Sequence, residues 1–310
     1  MKSTAIYSPE PAKGWLPWGA FAPFLCILLV AVPSILVSLV LEHFHLEDAK
    51  GDPQGLSGLF ALLIFHFVAM GLVLFAWVLG VERRPLATLG LAGQGKAVKF
   101  LKGFSIGMAT LFAVVFAIWA AGGLEAEKFA PALNSPGALL TIGLLLICFA
   151  VQSSVEEIIF RGWLLSAVAA KFNVPIAVVL NSLVFAFLHY SPHLPFRVIV
   201  STLLFAAFTC FWALKSRNIW GVMGWHTGWN WLLATGFELP VTGIDAKQPA
   251  LLVRMIVRGP EYLTGGTQGP EGSYLCSVFF IGACAFLLWR IRRDRVIAAN
   301  DIEIVAPGTP

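Results

Sequence analysis

Val155-Glu156-Glu157-Ile158-Ile159-Phe160-Arg161 sets two adjacent carboxylates and an arginine in the middle of an apolar run, and between Gly137 and Ala170 these are the only formal charges. A charged side chain at the centre of a spanning helix costs roughly 2.5 to 3.5 kcal/mol on insertion scales, so three together ask for ~8 to 10 kcal/mol of compensation. Filling a core never needs that. The stretch therefore predicts a polar reaction centre inside a membrane protein, with partners supplied from elsewhere in the chain.

The surrounding sequence has the composition for it. Of 310 residues, 58% are hydrophobic and 12% charged, with a mean hydropathy of +0.81, against ~45 to 50% apolar and ~25% charged in soluble domains. Apolar runs long enough to span a bilayer recur at about 19–41, 57–81, 100–122, 137–171, 174–191, 195–215, 218–237 and 273–291. These predict an all-α, polytopic integral membrane protein with about eight transmembrane helices. The first run exceeds the ~7 to 15 residues of a signal-peptide core and reads as a retained anchor.

The net charge of +4 is small, and the basic residues fall in short loops rather than on a patch, so nucleic acid is excluded as a partner. Their distribution reads as topology. Arg83, Arg84, Lys96 and Lys99 follow the second run, Lys215 and Arg217 the sixth, and Arg290, Arg292, Arg293 and Arg295 the last, while Glu42, Glu47, Asp48, Asp52, Glu125 and Glu127 occupy the alternate connections. The positive-inside rule then puts both termini in the cytoplasm of a multi-pass protein of the cell membrane. The expected division is a cytoplasmic tail (1–18), three helices (19–136), a helical core (137–237), an extracytoplasmic loop (238–272), and a last helix with its tail (273–310). Within the loop, Leu251 to Arg258 carries Arg254 and Arg258 one helical turn apart, which suits either a piece lying on the membrane surface or a solvated loop. The five cysteines lie in apolar segments without metal-ligand spacing and read as packing residues.

Glu156 and Glu157 differ by ~100° around a helix and cannot serve one partner equally. Arg161, at i+4 from Glu157, pairs with that glutamate along one face. Glu156 is left beside a like charge in a low dielectric, the setting in which carboxylates become general bases. A purely structural ion pair accounts for Glu157 and Arg161 and leaves Glu156 unexplained. In the fifth run, Asn181, Phe185 and His189 share a face at spacings of four. If the fourth and fifth runs form a hairpin turning near Phe172 to Pro175, Glu156 and His189 each lie ~22 Å from the turn and meet at one depth. In the seventh run, His226 and Asn230 share a face, with Gly224 and Gly228 on roughly the opposite side as a GxxxG pair for close packing. His66, alone in the second run, reads as structural.

Glu156-Glu157-x-x-x-Arg161, Phe185-x-x-x-His189 and His226-x-x-x-Asn230, in this order on successive segments, resemble the signature of the CPBP family of intramembrane proteases. That family includes the type II CAAX prenyl endopeptidases and bacteriocin-processing or bacteriocin-immunity proteins. The resemblance covers about residues 137–237. It implies that Glu156 activates water, that His189 helps to position it, that His226 and Asn230 stabilise an oxyanion, and that Glu157 and Arg161 hold the first glutamate in place. The substrate would be a membrane-associated protein or peptide, such as a CAAX-type prenylated tail or a leader peptide. No cofactor is favoured, because HExxH is absent and the histidines come singly from two helices; if zinc is bound, Glu156, His189 and His226 are the expected ligands. The competing reading is a non-proteolytic membrane protein, an immunity or scaffold protein or a proton or ion relay, using the same cluster.

Overall fold

The computed structural model describes residues 6–8 and 10–305, with side chains described as far as residue 294. Lys2 and the Arg295 side chain lie outside that set. A helix follows each of the eight apolar runs: α1 (Ala22–His43), α2 (Gly55–Glu82), α3 (Lys96–Ala120), α4 (Pro136–Lys171), α5 (Val174–Leu188), α6 (Phe196–Ser216), α7 (Trp220–Trp231, continued by the π-helical turn Leu232–Gly236) and α8 (Tyr274–Val305). The chain is an all-α multi-pass membrane protein.

Six of these helices, rather than about eight, are long and apolar enough to cross a membrane. The difference lies in α5 and α7. With 15 residues, α5 reaches only ~22 Å at 1.5 Å per residue, short of a hydrocarbon core of ~30 Å. It starts where the Asn173 side chain accepts from Ile176 N (2.9 Å), with Pro175 just inside the helix. It stops at His189, ahead of a connection carrying Pro192 and Pro195, neither of which can continue a hydrogen-bonded helix. The helix therefore ends at His189, half-buried at its C-cap, ahead of an exposed stretch from Tyr190 to His193.

Between α3 and α7 the backbones touch. A Cβ on Gly103 would lie 1.9 Å from Gly221 O, one on Gly107 2.1 Å from Trp225 O, and one on Gly224 1.9 Å from Phe100 O. The Gly224/Gly228 pair thus packs closely as its spacing predicts, against the α3 backbone at Phe100 and Phe104, while Gly103 and Gly107 of α3 meet Gly221 and Trp225 in return. Membrane helices gain van der Waals contact this way, because lipid offers no hydrophobic drive for association. With one face of α7 against α3, its other face carries His226 and Asn230 inward.

The 238–272 segment differs from the expectation for its middle piece. Leu251 to Arg258 is neither a surface helix nor an unstructured loop: Val253–Val257 is a strand (β2), paired antiparallel with Leu124–Phe129 (β1) in the connection after α3. The two arginines meet carboxylates instead of lipid phosphates, with Arg254 Nε 3.1 Å from Glu127 and Arg258 Nε 2.7 Å from Glu125. This small sheet and the segments around it cover the end of the bundle where α3 and α7 finish.

Replacing Gly107 or Gly224 by Ala should lower thermal stability in detergent by an overpacking cost of ~1 to 3 kcal/mol. The same change at Gly282, where an added Cβ meets nothing within 4 Å, should be neutral or slightly stabilising. Equal melting temperatures for all three variants would contradict the close contact.

Candidate functional site

The charged stretch that opens the sequence lies at a change in helix type. From Pro136 to Glu157 the chain is α-helical, and from Ile158 to Leu164 it is π-helical before the α-helix resumes. The wider turn re-aims the side chains that follow and loosens the backbone hydrogen-bond ladder. Two carbonyls of this turn are taken up from outside the helix: Asn181 Nδ2 donates to Phe160 O (2.6 Å), and Tyr7 OH donates to Arg161 O (2.7 Å). Asn181 shares a face with Phe185 and His189 as predicted, yet its amide supports the backbone of α4, and Cys210 Sγ lies 3.3 Å from its oxygen.

Glu157 and Arg161 are both fully buried, with Nη1 3.3 Å from Oε1. This ion pair lacks the alignment of a hydrogen bond. The guanidinium donates from Nη2 to Ala206 O (3.5 Å) and otherwise meets rings, centred 4.6 Å from Phe185 and 5.7 Å from both Phe160 and Phe205. A desolvated cation over aromatic faces gains more than an exposed one does. Phe185 in turn stacks on His189 (4.3 Å between centroids) and on Phe205 (5.5 Å), and Phe205 meets the His226 ring edge-on (4.9 Å). A wall of two phenylalanines thus separates Arg161 from both histidines.

The glutamates divide as the arginine requires. Glu157 Oε1 accepts from His226 Nδ1 at 3.0 Å, so the chain Arg161–Glu157–His226 fixes the imidazole and turns Nε2 towards Glu156. Glu156 Oε2 stands 3.9 Å from that Nε2, too far for a direct hydrogen bond but a span that one oxygen atom, set off the axis, bridges at ordinary bond lengths. His189 Nδ1 lies 2.8 Å from Phe185 O. A carbonyl only accepts, so Nδ1 carries the proton and the lone pair of a neutral ring is on Nε2.

Asn230 Nδ2 donates to Gln152 Oε1 (3.0 Å), and Ser153 Oγ donates to the same oxygen (3.0 Å). The second Nδ2 hydrogen of Asn230 is left for a ligand. Gln152 is a site residue absent from the sequence reading. It lies four residues before Glu156 on the same face, and a buried amide at that spacing in an apolar helix was the available signal.

Glu156, His189, His226 and Asn230 line one cavity together with Gln152, and Glu157 and Arg161 stand behind it. The cavity has two lobes that share Gln152, Glu156, His189 and Asn230. One lobe is apolar, walled by Leu59, Leu63, Phe67 and Phe149. The other is more polar, bounded by Ser201, Thr202, Gln268 and Glu271. Thr242 touches both. Glu271 fastens this roof: its carboxylate accepts from Trp229 Nε1 (2.9 Å) and from Thr242 N (2.8 Å), and its backbone carbonyl accepts from Ser201 Oγ (2.6 Å). No local pattern in the sequence marks Glu271, Gln268 or Thr242 as part of the site, since all three come from a loop. His66 lies elsewhere, 2.7 Å from Glu47.

Residues 137–232 match a family model described as type II CAAX prenyl endopeptidase Rce1-like. Over this segment the chain is similar to that family. The match agrees with the resemblance to CPBP proteases carried by the three motifs, and its bounds take in every residue of those motifs. No curated protein matches the chain.

Among the described residues, no three His, Cys, Asp or Glu side chains stand together so as to hold a metal ion. His226 already uses Nδ1 on Glu157.

Arg161→Ala should destabilise the protein by ~3 to 5 kcal/mol, because Glu157 would be left charged and uncompensated in the interior. Pairing it with Glu157→Gln should recover a large part of that loss in thermal denaturation. A double variant no more stable than the single one would show that the ion pair is not what the region depends on.

Proposed function

We propose that this protein is an intramembrane endopeptidase that hydrolyses a peptide bond of a membrane-associated protein or peptide with water activated by Glu156. One observation carries the reading: Glu156, His189, His226 and Asn230, from three separate helices, line a single cavity, held there by Glu157, Arg161 and Gln152. The Rce1-like match over 137–232 supports the reaction class.

In the proposed reaction, a water bound between Glu156 and His189 Nε2 gives its proton to the Glu156 carboxylate as its oxygen attacks the scissile carbonyl. The carbonyl π electrons move to oxygen, and the oxyanion receives hydrogen bonds from the free Asn230 Nδ2–H and from His226 Nε2–H. For Nε2 to donate while Nδ1–H stays on Glu157, the ring must be imidazolium. Glu157 already pairs with Arg161, so the imidazolium charge is matched by the Glu156 carboxylate before attack and by the oxyanion after it. Collapse of the tetrahedral intermediate breaks the C–N bond, and Glu156 passes its proton to the departing amine.

The apolar lobe suits a membrane-derived chain on one side of the scissile bond. A CAAX-type prenylated tail and a leader peptide are the two substrate classes proposed for it, and the reaction is proposed to need no cofactor. The positive-inside pattern supports cytoplasmic termini, which would put the roof formed by 238–272 outside.

Glu156→Gln and His189→Ala should each abolish cleavage, with at least a 100-fold loss from removal of a general base or its positioning partner, while membrane insertion and thermal stability stay near wild type. Comparative membrane proteomics of cells with wild-type protein and with Glu156→Ala should reveal protein termini formed only by the former. Retained proteolysis in both purified variants would sink the mechanism; proton-linked flux in liposomes without any cleaved product would favour a relay instead. A dialysed sample should contain no stoichiometric zinc and keep its activity in chelator, and the opposite result would require a metal.

A further inference from the structure

At the end of the bundle away from β1 and β2, the N-terminal segment runs along the finish of α2. Lys13 N donates to Arg83 O, Gly14 N to Glu82 O and Trp15 N to Val81 O. Between this segment and the end of α4 lies a second cavity, lined by Tyr7, Ser8, Arg84, Thr88, Ser166 and Lys171, with Glu10 also on its wall. An adjoining depression shares Arg84 and Glu10 and adds Lys13 and Arg83. None of these residues belongs to the site around Glu156.

The buried side-chain donors here are accounted for except one. Glu82, fully buried, accepts from Trp77 Nε1 (3.0 Å), from Trp163 Nε1 (2.8 Å) and from Arg84 Nε, so its charge is matched by Arg84. Arg84 Nη1 donates to Ser166 Oγ (3.2 Å). The hydroxyls of Ser166, Thr88 and Tyr7 are spent on the carbonyls of Trp163, Pro85 and Arg161. Arg84 Nη2 has no hydrogen-bond partner and is itself closed off from the cavity, so Arg84 serves Glu82 and Ser166 rather than a ligand. Lys13, Arg83 and Lys171 face only Glu10 around the opening, so the cavity is net positive once Arg84 and Glu82 cancel. Trp15 and Trp18, 50% and 77% exposed, sit beside it, as indoles do at headgroup level.

We propose that this cavity binds the phosphate of an anionic lipid headgroup, with Lys171 and, from the adjoining depression, Arg83 as its cationic contacts. An anionic headgroup matches the surplus positive charge and is present at the depth where the tryptophans lie. Because Tyr7 closes one wall of the cavity and also holds the carbonyl of Arg161, a bound lipid would brace the support of the Glu156 site from behind. The assignment does not depend on the protein being a protease.

The full-length protein, purified in detergent, should be titrated with phosphatidylglycerol and with phosphatidylcholine and read by native mass spectrometry. Wild type should retain phosphatidylglycerol in preference. Arg83→Gln and Lys171→Gln, both at exposed positions, should each weaken that binding about five-fold. Lys247→Gln, at the opposite end, should leave it unchanged. Equal retention of the two lipids by wild type, or undiminished selectivity in Lys171→Gln and Arg83→Gln, would overturn the proposal. Stabilisation by inorganic phosphate alone that equals the effect of phosphatidylglycerol would assign the cavity to a soluble phosphate and overturn the lipid assignment.

Discussion

A buried carboxylate, Glu157, whose Oε1 meets both Arg161 and His226, is the constraint from which the rest of the site follows. Two charges without access to water are tolerated only when each is compensated, and here compensation comes from three sources. Arg161 supplies the opposite charge, the rings of Phe160, Phe185 and Phe205 surround the cation, and His226 shares the Oε1 atom with the arginine. Once Glu157 is committed in this way, its neighbour Glu156 is turned about 100° away, into the cavity.

Holding that arrangement asks the helices to do unusual things locally. The π-helical turn from Ile158 to Leu164 re-aims Arg161 and frees carbonyls, which Asn181 and Tyr7 then satisfy. α5 stops short, leaving His189 at its end with Nδ1 on the Phe185 carbonyl and Nε2 available. α7 is pressed against α3 by glycines, and that contact sets the distance from His226 to the glutamates. Glu271 ties the roof to α6 and α7 and closes the polar lobe of the cavity. Each feature reads as a local irregularity alone; together they give the cavity a floor, two walls and a lid.

The membrane class, the positions of the eight helices, and the six residues Glu156, Glu157, Arg161, His189, His226 and Asn230 were legible in the sequence because each rests on a local rule. Charge in a long apolar run is costly wherever it occurs, and side chains four apart share a helical face. Gln152 obeys the same rule and was there to be read. Glu271 and Thr242 were not, because their place in the site comes from contacts across 42 and 29 residues, and no periodicity marks a loop residue that reaches over a cavity. The strand at Val253–Val257 was hidden for a similar reason, since its partner lies more than a hundred residues earlier and the Arg254 and Arg258 spacing suits a helix equally well.

By itself, the sequence determined that this is a multi-pass helical membrane protein, that its charges cluster on three helix faces, and that Glu157, not Glu156, belongs to Arg161. Only the tertiary structure decided that α5 stops at His189 with that side chain in the cavity, that His226 is anchored on Glu157 and leans towards Glu156, and that the cavity has an apolar and a polar side beneath a roof held by Glu271. The physical reason is the range of the interactions. Helical periodicity and the cost of burying charge act within a few turns of one segment, whereas cavity shape and the pairing of buried donors depend on side chains brought together from distant segments.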